Sequence, residues 1–149
     1  MTPFKINLFS FFKLPSAWLM GVRSSEINDE FSIVKVRHRW INQNPFNSMF
    51  WAVQGMAAEL TGGSLLMKYI KKSGKIISML VLKNKAEFFK KAKGEITFKC
   101  SQGKEAELII KNVIETSKPK QILMVSYGID EVGDKVSRFE FEWTVLLKK

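Results

Sequence analysis

The sequence predicts an α+β domain in which an antiparallel sheet curls over one long apolar helix. Three observations predict it. The stretch from Ser48 to Gly62 is apolar or small almost throughout, with Gln54 and Glu59 as its clearly polar members. Several segments around it alternate with period two, and the last is the plainest: Phe139, Phe141, Trp143, Val145 and Leu147 oppose Arg138, Glu140, Glu142 and Thr144. A chain of 149 residues that is 46% hydrophobic, with 12 Phe, can also bury a core without staples. No repeat, low-complexity run or boundary divides it, so one domain over residues 1–149 is expected.

Taken in order, Phe4, Leu8, Phe11 and Phe12 recur at helical spacing and predict a helix over residues 4–13 with one apolar stripe. Pro15 restarts the chain, Ser16 is placed to cap a short turn through Met20, and Gly21 ends it. From Val22 to Ile41 the period becomes two, with a turn at Asn28-Asp29; Val34, Val36, His38 and Trp40 share one face, and Lys35, Arg37 and Arg39 lie on the other. Asn42 to Pro45 is a loop by composition. Asn47 or Ser48 can cap the central helix, which Gly62-Gly63 stops or breaks before a resumption through Leu65–Ile70. On that helix Ala52, Gly55, Met56, Glu59 and Gly63 form a small-residue face open to close approach. Ile76–Leu82 is so continuously apolar that both its faces should be covered, and it runs on towards Phe88-Phe89. A basic turn leads into Glu95–Ser101, with Ile96, Phe98 and Cys100 facing in. A helix over 104–117 follows, then a hairpin of residues 121–127 and 135–147.

Composition narrows the function classes. A lone cysteine, Cys100, excludes an intrachain disulfide, no zinc-ligand cluster is visible, and the default setting is reducing and cytoplasmic. The net charge of +10 attracts polyanions such as anionic lipid, nucleic acid or cofactor phosphates. No nucleic-acid motif accompanies it, so a nucleic-acid partner is not expected. Lys5, Lys13 and Pro15 interrupt the apolar N-terminal segment and no small-residue cleavage site follows, which argues against a membrane span or signal peptide. That segment either packs on the domain or lies as an amphipathic helix on a membrane surface.

Within the central helix Glu59 stands out, because burying a carboxylate disfavours its charged form. It is either a solvated or neutralised side chain, or a base. Asn44 is either a turn residue before Pro45 or an orienting group. Lys90, Lys91 and Lys93 form a charged turn that could also meet phosphates. His38 reads as a packed residue with one hydrogen bond, and Cys100 as a small core residue.

The element order, Asn44 ahead of the central helix, Glu59 about fifteen positions later and the basic turn from Phe88 to Gly94 together resemble the hot-dog fold. The likeness covers roughly residues 20–147 and points to the phenylacetyl-CoA thioesterase-like branch. The extra helix at 104–117 is similar to a branch of that superfamily known only as a domain of unknown function. The resemblance implies an acyl-CoA thioesterase working as a homodimer or dimer of dimers, with no cofactor beyond the coenzyme A of its substrate. It implies Glu59 as base or nucleophile, Asn44 as an orienting group, the amides of Ser48 and Met49 as oxyanion donors, and Lys90, Lys91 and Lys93 as ligands of coenzyme A. Active members of that branch carry His-Gly-Gly at the helix start, where this chain reads Asn47-Ser48-Met49-Phe50. A non-catalytic binder of acyl chains or lipid is the alternative.

Overall fold

The computed structural model describes residues 1–148. Two short helices, α1 (Pro3–Lys13) and α2 (Pro15–Leu19), precede the hairpin β1 (Arg23–Ile27) and β2 (Ser32–Arg37). The long helix α3 (Trp51–Ser73) comes next, then β3 (Ile77–Phe88), β4 (Glu95–Cys100), α4 (Gly103–Thr116), β5 (Lys120–Ile129) and β6 (Lys135–Leu147). The strands form one antiparallel sheet in the order β1-β2-β4-β5-β6-β3. Helix α3 packs on β1, β2, β4, β5 and β6. Its Val53, Ala57, Ala58, Leu60, Leu65, Leu66 and Tyr69 join Val34, Val36, Ile96, Phe98, Phe139 and Val145 in the core. This is the expected helix wrapped by a sheet, and the alternation read in β4 and β6 is the alternation that is buried.

Five expectations are corrected. Helix α3 does not break at Gly62-Gly63 but runs through them to Ser73, ending on Gly74 in the left-handed conformation. A Cβ at Gly62 would stand 3.0 Å from the Met124 Cβ, and one at Gly63 would stand 3.5 Å from the Trp143 ring. Gly62 therefore sets how closely the sheet approaches, a packing role that outweighs its poor helix propensity, while a methyl at Gly63 would make ordinary contact. The helix also starts later than expected: its N-cap is Phe50, two residues beyond Ser48 and three beyond Asn47, with no side-chain cap.

The stripe of α1 is the third correction. The helix buries Ile6 and Ser10, while Phe4, Leu8, Phe11 and Phe12 are exposed. In β2 the pattern ends at Arg37, and Trp40, expected to face inward, begins a 3-10 turn and is 83% exposed. Finally, β3 is an edge strand bonded to β6 alone, so Ile76, Leu80 and Leu82 are exposed instead of covered on both faces. An apolar run does not by itself distinguish a central strand from an edge that awaits a partner.

Candidate functional site

The loop before α3 is tied by Asn44. Its Oδ1 accepts from the amides of Phe46 (2.9 Å) and Ser48 (3.3 Å), and its Nδ2 donates to Ser48 Oγ (2.9 Å). Such side-chain to backbone bonds hold a turn in place of regular structure. Asn44, Ser48, Met49, Phe50, Trp51 and Gln54 line a cavity of about 550 Å³, which Phe88, Phe89, Lys90 and Lys91 close from the end of β3.

The expected oxyanion donors are spoken for in the chain. Met49 N donates to Ala92 O at 2.8 Å, and Ser48 N to Asn44. Because the helix begins at Trp51, the unpaired donors are instead the amides of Trp51 and Ala52, which meet no acceptor among the described residues. They carry the positive end of a helix 23 residues long, and Trp51 lines the cavity. An oxyanion there would meet free N–H groups three residues beyond the place read from the sequence.

Gln54 is the residue the sequence reading passed over. It is buried, it lines the same cavity, and its Nε2 reaches Met49 O at 3.4 Å while its Oε1 finds no donor. A buried unpaired acceptor costs free energy unless a ligand or water supplies the proton. The available signal was a polar side chain one turn into an apolar helix.

The lysines separate. Lys90 Nζ is clamped by Asp130 (2.6 Å) and Asp134 (2.7 Å), hydrogen bonds that raise its pKa, so its charge is already met. Lys91 lines the cavity, and Lys93 is exposed outside its lining.

Glu59 lies elsewhere, on the small-residue face of α3. With Met56, Leu60, Gly63, Met67, Met79 and Trp143 it lines a second cavity of about 290 Å³, walled on the far side by Phe9, Leu14 and Ala17. Its side chain opens to solvent at the cavity mouth, yet desolvation by its apolar surroundings raises the carboxyl pKa. No cation pairs with it among the described residues. Within one chain, Asn44 and Glu59 thus belong to different cavities.

The other candidates are structural. Cys100 is buried in the core and burial pushes its thiol up to about 11, which leaves it protonated and inert. His38 is half-buried and its Nε2 finds no partner, so the hydrogen bond expected of it is not made at that atom.

A family model described as a domain of unknown function, DUF4442, matches residues 5–145, nearly the whole chain. The chain belongs to the DUF4442 family. Curated protein sequences give no match to it. Among solved structures, this DUF4442 chain is similar to a protein of unknown function and probable thioesterase from Pseudomonas aeruginosa, at 16% identity and TM-score 0.80, with 98% of this chain and 97% of that one covered. It is also similar to a protein of unknown function from Chlorobaculum tepidum (15% identity, TM-score 0.83, 99% and 98% covered). A thioesterase from Haemophilus influenzae aligns at 12% identity and TM-score 0.70, over 99% and 92% of the two chains. At such identities the likeness shows the fold, and that fold is the hot-dog. The DUF4442 chain is thus a protein of the hot-dog fold.

Proposed function

We propose that the protein hydrolyses an acyl thioester, with coenzyme A as the carrier, by water attack assisted by Glu59. The observation that carries this reading is a carboxylate that lines an apolar cavity, open to solvent yet with no cation beside it among the described residues, its pKa raised by desolvation. The free amides of Trp51 and Ala52 supply the complementary feature, a place where a developing oxyanion would be stabilised. Water attack on the thioester carbonyl transfers a proton to Glu59, and collapse of the tetrahedral intermediate expels the thiolate, which takes that proton.

Glu59 and the start of α3 do not share a cavity in one chain, so the reading requires a second copy to bring them together. The exposed apolar edge of β3, with Leu80 and Leu82 open to solvent, is the surface offered for such a homodimer. In that arrangement Asn44 holds the loop that presents the helix start, Gln54 Oε1 accepts from water or substrate, and Lys91 is the lysine free to meet a phosphate. Lys90 serves by fixing the β5–β6 turn.

The test is release of free coenzyme A from a panel of acyl-CoA chain lengths. Hydrolysis should fall about 10²-fold or more in Glu59→Gln, which keeps shape and removes the base. Unchanged turnover in that variant would reject the assignment. A second reading, an acyl-chain binder without catalysis, draws support from the paired Ser48 and Met49 amides and from a helix start without glycines. Native mass spectrometry of protein purified from cells separates the two, since a retained acyl ligand with no thioester turned over favours binding.

A further inference from the structure

The segment ahead of β1 exposes more large apolar side chains than its own packing explains. Helix α1 meets the domain through Ile6 and Ser10, and Asn7 fixes its position by donating to Ser24 O (2.9 Å) and accepting from Ser24 N (2.7 Å). At about 3.6 residues per turn, Phe4, Leu8, Phe11 and Phe12 occupy the arc opposite that packed face, and Lys5 borders them. Phe4 is 74% exposed, Phe12 67% and, from α2, Leu19 61%. No acidic residue occurs before Glu26, while Lys5, Lys13 and Arg23 do. Large apolar side chains, flanking lysines and no carboxylates are the composition of a helix that lies in a bilayer interface.

A second, separate observation adjoins it. Aromatic contacts run from Phe12 to Phe11 (4.9 Å between centroids) and from Phe11 to Trp18 (5.4 Å), and the Arg23 guanidinium stacks 3.4 Å over the Trp18 ring. Arg23 is fixed by donating to Trp18 O and Val22 O, both at 2.8 Å. With Gly21, Lys35, Arg37 and Arg39 it lines an open cavity of about 370 Å³. The carboxylate of that lining, Glu95, is taken by Lys35 (3.2 Å) and Arg37 (3.7 Å). Arg23 and Arg39 form no ion pair among the described residues, and burial together with the Arg39 charge pushes the Arg23 pKa below its ordinary value. The Arg39 guanidinium rests against Gly21, at φ 88°, where any side chain would collide with it. Two guanidinium groups are thus held side by side with nothing to neutralise them, an arrangement that suits a phosphate.

We propose that the α1–α2 segment and the adjoining arginine cavity form a docking surface for an anionic phospholipid bilayer. Phe4, Leu8, Phe11, Phe12 and Leu19 enter the acyl boundary, and Arg23 and Arg39 receive a lipid phosphate. A second copy of the chain fits this surface poorly, because each copy carries +10 and would press a segment with only basic charges against its like. An anionic bilayer removes that repulsion and supplies the missing phosphate. Phe9, Leu14 and Ala17 wall the Glu59 cavity from the same segment, so docking sets that cavity beside the lipid.

The test is co-sedimentation of the full chain with phosphatidylcholine vesicles, alone and with about one-third phosphatidylglycerol. Binding is expected to the anionic vesicles only and to weaken with salt. The double variant Phe4→Ser with Phe12→Ser, at exposed positions that leave the core untouched, should lower partitioning at least about tenfold. Arg39→Gln should lower it about fivefold, with far-UV circular dichroism and the light-scattering mass of the free protein unchanged. Absence of vesicle binding, or equal binding to neutral vesicles, overturns the proposal. So does a free-protein mass that halves in the double variant, which makes the face a contact between copies. Thermal stabilisation by inorganic phosphate without vesicle binding also overturns it, and makes the arginines a site for a soluble anion.

Discussion

Glu59 opens to solvent, yet its apolar neighbours Met56, Met67, Met79 and Trp143 desolvate its carboxyl and raise the pKa. The native state therefore holds that proton more tightly than the unfolded chain. Stability from this group is present below the ordinary carboxyl range and is lost as pH rises through the raised value. Glu59→Gln should accordingly flatten the stability profile between the ordinary carboxyl range and neutrality, and should leave the protein no less stable at neutral pH, as urea titrations across pH would show. Activity, if Glu59 is the base, should rise over the window in which stability falls. Cys100 offers a check on the core: with its thiol buried and pushed up to about 11, it should resist alkylation in the folded protein and react readily in urea. The sequence singled out Glu59 and read Cys100 as core because burying charge and burying a small apolar group leave opposite marks in a pattern. It passed over Gln54, because whether an amide inside an apolar helix finds its partners is decided by neighbours that are remote in sequence.

At the level of elements, glycines tell where helix and sheet meet. In an isolated helix Gly62→Ala would gain about 1 kcal/mol of propensity. Here the new methyl would lie 3.0 Å from Met124 Cβ, an atom fixed to the backbone of β5, so overpacking of about 1–3 kcal/mol outweighs that gain. A net loss of about 1 kcal/mol in a denaturant titration is expected. Gly103→Ala should be worse, by about 3 kcal/mol or more, because its Cβ would run into the Asp29 carbonyl of the β1–β2 turn, and the Gly103 amide is bonded to Glu30 O at 2.8 Å. The existence and type of the elements were legible from periodicity. The continuity of α3 was not, since a Gly-Gly pair reads locally as a stop and only the nearness of Met124 explains why Gly62 sits inside a helix. The late start of α3 has a similar cause: Asn44 and the bond from Met49 N to Ala92 O hold residues 44–49 in a loop, and with them the position of any oxyanion donors.

For the molecule as a whole, the unpaired edge of β3 and the uncovered stripe of α1 are two surfaces a single chain leaves unfinished. Leu80→Lys, on an edge side chain 60% exposed, should leave the monomer folded and shift a homodimer towards the monomer in light scattering. The α1 variants should leave that mass unchanged, so the two surfaces are separable by experiment. By itself the sequence determined the α+β class, the antiparallel strands, the central helix and the inward faces of β4 and β6. Each of these rests on a local period of apolar residues, which a short window of chain contains in full. It also marked Glu59 as a carboxylate set among apolar residues. Only the tertiary structure decided that β3 is an edge, that the α1 stripe faces outward, that Trp51 and Ala52 hold the free amides, and that Asn44 and Glu59 line different cavities. Those facts depend on which remote segment covers a given face, and burial is a property of the packed molecule that no local pattern encodes.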